Sequence, residues 1–506
     1  EYLPVHIREA EHLWDFSTAV AQIHFPDDDI SLARARERLS FDELFVLQLA
    51  ALVRRAARQA DTAVPLPISR GTVAAAESSL PFHLTRSQST ALDAILTDLT
   101  KGVPMARLLA GDVGSGKTVV AGLTALAVAR AGGQTAFLAP TEILVQQHGT
   151  TLRALLGGAG LRVGSLTAAT TPSERSVIAE SLFAGSLDIV VGTHALLEAS
   201  LQWKRLALVV VDEQHRFGVL QRGELTKRGG DGTTPHFLSL SATPIPRTLQ
   251  LTAYGDVDVS PLEPRPGQRP VTTAVVPPAD RNTMYASLKN RIMAGGQVFV
   301  VCPRVEEAPD DDRRSVEKEY ARLTHDLFQD LRIGRVHGKL PAEEKTRVIE
   351  AFRTRAIDLL VASTVVEVGV DIPGADTLLV EGAEHFGLAT LHQLRGRVGR
   401  RGQEAVCFLA TEAAEPEALE RLQVLVRTSN GLDIAEEDLR RRGPGELYGT
   451  RQHGGITLKV ASLADLSFLL RVRAAAERLL RETPELETAP LLSARVRQLN
   501  VTTHFE

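Results

Sequence analysis

The strongest candidate for chemistry is the glycine-rich stretch GDVGSGKT, whose glycines are Gly111, Gly114 and Gly116. It fits the phosphate-binding P-loop pattern, in which glycines allow backbone N–H groups to surround a phosphate. Lys117 would reach the β- and γ-phosphates of a nucleoside triphosphate, and the Thr118 hydroxyl would bind Mg²⁺. The apolar run that follows can form a helix whose positive N-terminal end faces the same anion. A glycine-rich turn that matches by chance is the alternative, and the strand and helix predicted on either side weaken it.

A second candidate is the pair of acids that ends the apolar run LALVVV, Asp212 and Glu213. Such a run predicts a buried strand, and ligands of open α/β sheets bind at the carboxyl ends of the strands. Asp212 could hold the Mg²⁺ there, while Glu213 could orient and deprotonate an attacking water. His215 would lie near the γ-phosphate and report its presence. A pair of surface acids is the alternative, which the P-loop earlier in the chain makes the weaker one.

Arginines suited to phosphoryl chemistry occur in the later stretch QLRGRVGR, which contains Arg395, Arg397 and Arg400. An arginine opposite a γ-phosphate stabilises the charge of the transition state and contributes about 10³-fold or more to the hydrolysis rate. A basic helix face in water is the alternative. Because these arginines lie far from the P-loop in the chain, we expect them to come from a different lobe of the fold.

The elements that must position these residues form two similar series of short apolar runs. Longer amphipathic stretches separate the runs, which is typical of a parallel sheet wrapped by helices, and the series starts again after PLEPRPGQRP. We therefore predict an α/β fold with two parallel-sheet lobes joined by a proline-stiffened linker. The expected strands are ARLLA, TAFLA, DIVVG, LALVVV and HFLSLS in the first lobe and QVFVVC, GRVH, IDLLVAS, TLLVEG and AVCFLA in the second.

Helical segments are expected before and after the two lobes. The stretch 31–59 has apolar residues at roughly helical spacing and carries no motif of chemistry. Beyond the second lobe the periodicity becomes helical again, interrupted by GPGELYGTRQHGG. We expect a helical segment at 1–80, an ATP-binding lobe at 81–265, a second lobe at 266–410, and a helical hairpin, coupling loop and tail at 411–506. ATP would bridge the lobes, pull them together and let them part after hydrolysis.

Composition limits the class of protein. The 506 residues are 44% hydrophobic and 24% charged, which suits several globular units. The net charge of −5 gives no overall basic surface, so any nucleic-acid contact must use local patches. Two cysteines exclude a disulfide framework and fit a reducing cytosol. We see no apolar run of membrane-spanning length and no signal peptide, and the start at Glu1 without a methionine leads us to expect a piece of a longer protein.

The motifs, taken in order, resemble those of superfamily 2 helicases and translocases. Three stretches are more specific and resemble the RecG family of branched-DNA helicases: DEQHRFGVLQR, SATPIPRTL and RTSNGLDIAEEDLRRRGPGELYGTRQHGG. The last resembles the TRG motif, which the transcription-repair coupling translocase shares. HFP at 24–26 and the helical stretch 36–53 look like the linker helices before the RecG motor. The resemblance covers nearly the whole chain and implies two RecA-like lobes; its further motifs are LTRSQ, GDVGSGKT, APTEIL, GTHAL, VHGKLPAEEK, STVVEVGVDIP and QLRGRVGR.

The resemblance implies further residues around the nucleotide. Gln88 and Phe82 would recognise adenine, the first by a bidentate amide and the second by stacking. Gly369 and Asp371 would approach the nucleotide from the second lobe, beside the arginines of QLRGRVGR. The implied cofactors are ATP and Mg²⁺.

The resemblance also implies residues that link the nucleotide to DNA. Ser241 and Thr243 would couple hydrolysis to lobe movement. Thr141, Gly192 and Thr193 would lie along the DNA backbone, where hydroxyls and amides grip phosphates without reading bases. Ordinary turn and capping work is the alternative for any one of these hydroxyls.

The C-terminal segment decides what kind of motor is expected. In the family that it resembles, a glycine-rich loop couples ATP hydrolysis to translocation on double-stranded DNA, with Arg442 and Gln452 in the matching places. A flexible surface loop is the alternative. The segment departs from the family pattern at Ser429 and Asn430, where threonine and aspartate are usual, and at Leu432, which replaces a phenylalanine. The departures do not touch the arginines.

The resemblance implies an ATP-dependent DNA helicase or translocase that acts on double-stranded and branched DNA in recombination and repair, by fork regression and branch migration of Holliday junctions. Family members carry an OB-fold wedge before the motor, and we expect this chain to lack it and its fork selectivity. A single-stranded DNA-binding protein is a further candidate partner. We expect a monomer in the bacterial cytoplasm, associated with the nucleoid. The motor module of the coupling translocase and an inactive ATP-binding DNA scaffold are the alternatives.

Overall fold

A computed structural model of the chain describes residues 1–198, 201–213, 232–242, 246–252, 255–265, 267, 270–303, 316–363, 375–399, 404–442, 458–463, 465–484, 486 and 489–504. The helices in these ranges are α1 (Val5–Ala10), α2 (Phe16–His24), α3 (Asp29–Ala60), α4 (Arg70–Ser78), α5 (Arg86–Leu99), α6 (Lys117–Arg130), α7 (Glu142–Leu156), α8 (Pro172–Ala184), α9 (Arg247–Thr252), α10 (Arg281–Met293), α11 (Val316–Arg322), α12 (Ala342–Arg353), α13 (Leu388–Arg395), α14 (Pro416–Arg427), α15 (Gly431–Arg442), α16 (Leu466–Glu482) and α17 (Pro490–His504). The strands are β1 (Ala106–Gly111), β2 (Gln134–Leu138), β3 (Val163–Leu166), β4 (Ile189–Gly192), β5 (Leu206–Asp212), β6 (His236–Ser241), β7 (Asp258–Leu262), β8 (Thr272–Val276), β9 (Val298–Cys302), β10 (Ile333–Val336), β11 (Leu359–Ser363), β12 (Thr377–Val380) and β13 (Val406–Ala410).

The first lobe is built on a parallel sheet with the strand order β3-β4-β2-β5-β6-β1-β7. Helices cover both of its faces, so the central strands are buried on both sides and must be apolar throughout. The strand β5 meets this requirement, since every residue from Leu206 to Asp212 is buried. Its neighbour β6 pairs in parallel with β1 in the register Leu108 to Ser239, so the carboxyl ends of β5, β6 and β1 lie at one edge.

The second lobe repeats this design with the parallel order β10-β11-β9-β12-β13-β8. The central strand β9 is buried along its whole length and pairs with β11 on one side and β12 on the other. The α/β fold with two parallel-sheet lobes, predicted from the alternating apolar runs, is confirmed.

Three strands were not predicted, and each lies at the edge of its sheet: β3, β7 and β8. An edge strand has one unpaired side and a partly exposed face, so it lacks the continuous apolar run that marks a buried strand. The linker prediction was wrong at its start, because Pro261 and Leu262 belong to β7 and pair with Ala110 and Gly111. Proline is tolerated there because an edge strand leaves its outer N–H positions without a partner.

The N- and C-terminal helices pack on each other rather than forming two separate units. The helix α3 confirms the predicted helical segment at 31–59, and its first turn is capped by the Asp28 carboxylate, which accepts from the Ser31 N–H at 2.6 Å. Its apolar face shares one buried core with α16 and α17, and this core includes Phe41, Leu44, Phe45, Leu469, Val472 and Leu492. No helix among the described residues is both long and apolar enough to cross a membrane.

Candidate active site

The P-loop lies between β1 and α6, as its sequence predicts. β1 ends at Gly111 and α6 begins at Lys117, with Gly114 and Gly116 in the left-handed region at φ 85° and 92°. Residues other than glycine rarely adopt this backbone conformation, so the turn itself requires the two glycines. The start of a helix carries N–H groups without acceptors inside the helix and attracts anions. The loop is therefore shaped to receive an anion.

Lys117 is the cation of this loop. Its Nζ donates to the backbone carbonyls of Gly111 at 2.6 Å and Asp112 at 3.0 Å. Removal from water lowers the pKa of Lys117 to about 8, although the charges of Asp212 and Glu213 act to raise it. A nearby phosphate would restore the stability of this ammonium, because opposite charge favours the charged form.

The acids at the end of β5 lie beside this lysine. Burial opposes ionisation of Asp212, but hydrogen bonding and charge from His148 hold the pKa of this carboxyl below its usual value, with a further contribution from Lys117. Asp212 Oδ2 lies 2.8 Å from His148 Nε2. His148 was not predicted; it lies on α7, and no local pattern in the sequence pairs it with Asp212.

Glu213 adopts a strained backbone conformation directly after the strand. Its φ is 52°, which is unusual for a residue with a long side chain, and its N–H donates to the Leu240 carbonyl at 3.0 Å. The same N–H lies 3.1 Å from Asp212 Oδ1. Strain of this kind persists only where the surrounding structure imposes it, and it clusters at functional sites.

Two arginines of QLRGRVGR have different surroundings. Arg397 lies close enough to the P-loop for its charge to lower the pKa of Lys117. Arg395 is buried instead, with a 4% exposed surface, and its Nη1 donates to the carbonyls of Leu425 at 2.6 Å and Thr428 at 3.1 Å. Arg395, one of the three arginines of this motif, therefore holds α13 to the turn after α14. Arg400 lies outside the described residues.

The two lobes touch at the P-loop. His392 Nε2 of the second lobe lies 3.1 Å from Asp112 Oδ1 of the first, and His392 Nδ1 lies 3.0 Å from Arg395 Nη2. A cavity of about 630 Å³ opens beside this contact. Its walls come from both lobes and from the connection between them, and include Val113, Glu263, Arg265, Val271, Gly396 and Asn430.

The residues expected to bind adenine line the start of α5. Gln88 Oε1 accepts from the Thr85 N–H at 2.9 Å in a capping box, and its Nε2 donates to the Ser115 carbonyl at 2.7 Å. The Arg265 guanidinium lies 5.5 Å from the centre of the Phe82 ring. Gln88 thus supports the P-loop in this structure, and its recognition of adenine stays a prediction.

The residues expected along DNA lie at the carboxyl edge of the first sheet. Thr141 caps α7, since its Oγ1 accepts from the Leu144 N–H at 3.3 Å, and Gly192 ends β4. Thr193 and Ser241 are buried. The Thr141 contact is the capping work considered above; a DNA role for Thr141, Gly192 and Thr193 and a coupling role for Ser241 stay predictions. His215, Thr243, Gly369, Asp371, Gln452 and the side chain of Arg442 lie outside what the structure describes.

Three known families match successive parts of the chain. Residues 85–252 match the DEAD/DEAH box helicases, and residues 282–402 match the helicase conserved C-terminal domain. Residues 428–502 match the C-terminal part of domain 3 of the ATP-dependent DNA helicase RecG. The last match covers the TRG-like segment and the helices after it.

Similarity to RecG proteins extends over almost the whole chain. The chain is 44% identical to the ATP-dependent DNA helicase RecG of Synechocystis sp. over 98% of the chain's own length. It is 38% identical to RecG of Streptococcus pneumoniae and covers 69% of that protein. The chain belongs to the RecG family. It spans about 60% of the length of the Synechocystis protein and of RecG from Thermotoga maritima, to which it is 45% identical.

Solved structures agree with the RecG assignment. A structure of RecG bound to a three-way DNA junction matches 94% of this chain with a TM-score of 0.81 and 41% identity, and the chain covers 62% of it. The helicase Lhr of Mycobacterium smegmatis, at 18% identity and a TM-score of 0.55, matches in fold alone over 72% of this chain and 50% of that one. The RecG resemblance stated from the motifs is confirmed.

Proposed function

We propose that this chain is the motor of an ATP-dependent DNA translocase of the RecG family that acts on double-stranded and branched DNA. One observation carries the proposal: the P-loop of the first lobe lies against the second lobe, where His392 Nε2 is 3.1 Å from Asp112 Oδ1 and a cavity walled by both lobes opens. The charges of Asp212 and Glu213 from the first lobe and of Arg397 from the second all act on Lys117 of this loop. A site built from both lobes changes when the lobes move, which is what conversion of hydrolysis into motion requires.

The residues around the P-loop fit ATP and Mg²⁺. Burial lowers the pKa of Lys117 to about 8, and its Nζ donates to the Gly111 and Asp112 carbonyls, so an anionic ligand would favour its charged form. Thr118 and Asp212 supply a hydroxyl and a carboxylate, and oxygen ligands of this kind suit Mg²⁺ together with phosphates. The ion would neutralise the triphosphate, while the helix start of α6 and the glycines hold it in place.

Within this site the protein side chains divide the work of hydrolysis. Glu213, directly after β5, accepts a proton from the attacking water. Arg397, with Arg400, stabilises charge on the transferring phosphoryl group. His148 keeps Asp212 ionised and oriented. Gln88 and Phe82 select adenine, and Gly369 and Asp371 complete the site from the second lobe.

Motion then has to reach DNA. We infer that Ser241, Thr243 and His215 couple the nucleotide state to lobe closure. Arg442 and Gln452 then transmit the lobe movement to the duplex. Thr141, Gly192 and Thr193 grip the DNA backbone. The solved structure of RecG bound to a three-way DNA junction supports a branched substrate for this chain.

We also propose how the chain binds DNA and in what state of assembly it works. Backbone contacts dominate binding, so affinity falls steeply with salt and shows little preference for sequence. The protein works as a monomer at the bacterial nucleoid, with a single-stranded DNA-binding protein as a further partner. Light scattering of the purified chain and titration of salt against duplexes of unrelated sequence test these points.

The ATP hydrolysis rate of the chain tests the proposed function, measured alone, with plain duplex and with a three-way junction. We expect DNA to stimulate hydrolysis and Lys117→Ala to abolish it with and without DNA. Hydrolysis that no DNA stimulates would contradict the proposal, as would equal hydrolysis by Lys117→Ala.

A further inference from the structure

The carboxylate of Glu43 holds three consecutive backbone amides that lie far away in the sequence. Its Oε1 accepts from the Lys459 N–H at 2.9 Å, and its Oε2 accepts from the N–H groups of Val460 at 3.1 Å and Ala461 at 2.9 Å. Three donors on one ionised acceptor form a strong anchor, because charge-assisted hydrogen bonds exceed neutral ones in strength. Glu43 lies at the middle of α3 and is half-buried.

The anchored residues are those that follow the TRG-like segment. Residues 443–457, which lie outside the described ranges, precede Leu458 directly. Leu458, Ala461 and Leu463 are buried in the core that α3 shares with the C-terminal helices. The chain therefore returns to α3 immediately after the segment that carries Gln452.

The second half of α3 is attached to the first lobe. Gln48 Nε2 donates to the Leu251 carbonyl at 2.9 Å, and Arg55 pairs with Asp258 at 2.9 Å. Leu251 lies in α9, the helix that follows the SATPIP motif, and Asp258 begins β7. Arg58 adds a hydrogen bond to the Asp256 carbonyl. A rigid helix thus joins the first lobe to residues 459–461.

The segment starts from a helix with a different attachment. The helix α15 places Ile434 in the core of the second lobe and Leu439 in the core of the terminal helices. The helix before segment 443–457 is therefore attached both to the second lobe and to the terminal helices, while the residues after the segment are held by Glu43 on a helix fixed to the first lobe.

We propose that Glu43 is a positioning residue for translocation, which fixes the end of the coupling segment so that lobe movement displaces the segment instead of pulling its end free. The effect on translocation rests on the proposed function, whereas the anchor rests on the hydrogen bonds of Glu43 alone. Without the carboxylate, three N–H groups lose their acceptor together, while the apolar contacts of Leu458, Ala461 and Leu463 remain.

Hydrogen–deuterium exchange tests the anchor independently of any motor activity. In Glu43→Ala we expect the amides of 459–461 to exchange about tenfold faster or more, because local opening loses its main opposing contact. The matched control is Glu37→Gln on the same helix, which removes an ion pair to Arg471 of α16 at 2.6 Å and leaves Glu43 intact. Exchange in Glu43→Ala that equals the wild-type rate would overturn the anchor.

Displacement of a third strand from a triplex by a moving protein tests the consequence. We expect Glu43→Ala to keep basal ATP hydrolysis and to displace about tenfold less strand for each ATP hydrolysed, with Glu43→Gln intermediate because one oxygen still accepts. Unchanged displacement per ATP, or an equal loss in Glu37→Gln, would overturn the positioning role. Absence of displacement by the wild-type chain would count against the proposed function, while the exchange experiment still decides the anchor.

Discussion

The two lobes each place an acid after a central strand, yet the two acids have opposite surroundings. Asp212 ends β5 beside a lysine whose pKa is lowered to about 8. Glu381 follows β12 and is fully buried, where it accepts from Arg281 Nη1 at 2.6 Å and from the Tyr285 hydroxyl at 3.1 Å. The carboxyl edge of a parallel sheet is where ligands bind, but the second lobe has filled the equivalent place with its own side chains.

The pKa values express this difference. Burial disfavours the charge of Arg281, but Glu381 raises its pKa above the ordinary value, and Glu319 does the same for Arg322. A buried pair whose partners stabilise each other is structural, whereas a cation whose charge is poorly compensated is poised for a ligand. The position of a residue in the sheet therefore predicts where a ligand site can form. The balance of charge around that residue shows whether the place binds a ligand or is filled by the protein itself.

The largest effect is expected from the first lobe. Glu213→Gln keeps the shape of the side chain but cannot accept a proton from water, so the rate of ATP hydrolysis should fall by about 10²- to 10⁴-fold. ATP binding and the melting temperature should stay near the wild-type values. Steady-state hydrolysis with DNA measures the effect, and a rate within a few-fold of wild type would show that Glu213 is not the base.

The equivalent change in the second lobe should affect stability instead. Arg281→Ala leaves Glu381 buried without its main counter-charge, which we expect to cost about 3–5 kcal/mol of unfolding free energy. Denaturant unfolding measures it. Lys289→Ala on the same helix removes an exposed pair to Asp330 and should leave the midpoint unchanged. A loss of hydrolysis in folded Arg281→Ala, at unchanged stability, would contradict the contrast between the lobes.

Arg395 and Arg397 of QLRGRVGR should differ in the same way, one affecting stability and the other hydrolysis. Arg395→Ala leaves the carbonyls of Leu425 and Thr428 without their donor and should cost about 1–3 kcal/mol of stability, with little change in KM for ATP. Arg397→Ala should lower hydrolysis without lowering the melting temperature. Thermal unfolding and kinetics of both variants check this, and the reverse pattern would mean that the two roles were exchanged.

The smallest effect is the dependence of ATP affinity on pH. The ammonium form of Lys117 binds phosphate, and in the free site it loses its proton as the pH rises through about 8. Affinity should therefore be nearly constant near neutral pH and weaken above pH 8, by up to about tenfold per pH unit. Calorimetric titration from about pH 7 to about pH 9.5 measures this. Lys117→Arg should flatten the curve, and a wild-type affinity independent of pH would contradict the lowered pKa.

Motifs that depend on local geometry were predictable from the sequence. The P-loop requires glycines at fixed positions between a strand and a helix, and Asp212 and Glu213 end a fully apolar run, so both were found where expected. The buried strands were found for the same reason, while the edge strands β3, β7 and β8 were missed because half of their surface faces solvent.

Contacts between distant parts of the chain were not predictable. His148 and Asp212 are joined only by the order of strands in the sheet, and Glu43 and Ala461 only by the packing of the terminal helices. Arg395 and Arg397 look alike in the sequence, and their surroundings alone separate them. In a single sequence, periodicity shows which face of a helix or strand is apolar, but it does not show which distant residue contacts that face.

Displacement of the third strand from a triplex, driven by ATP along plain duplex DNA, tests the central claim most directly. The proposed motor should displace the strand with ATP, and Glu213→Gln should bind the same DNA and ATP without displacing it. DNA-stimulated hydrolysis without any displacement would contradict translocation, as would equal displacement by Glu213→Gln.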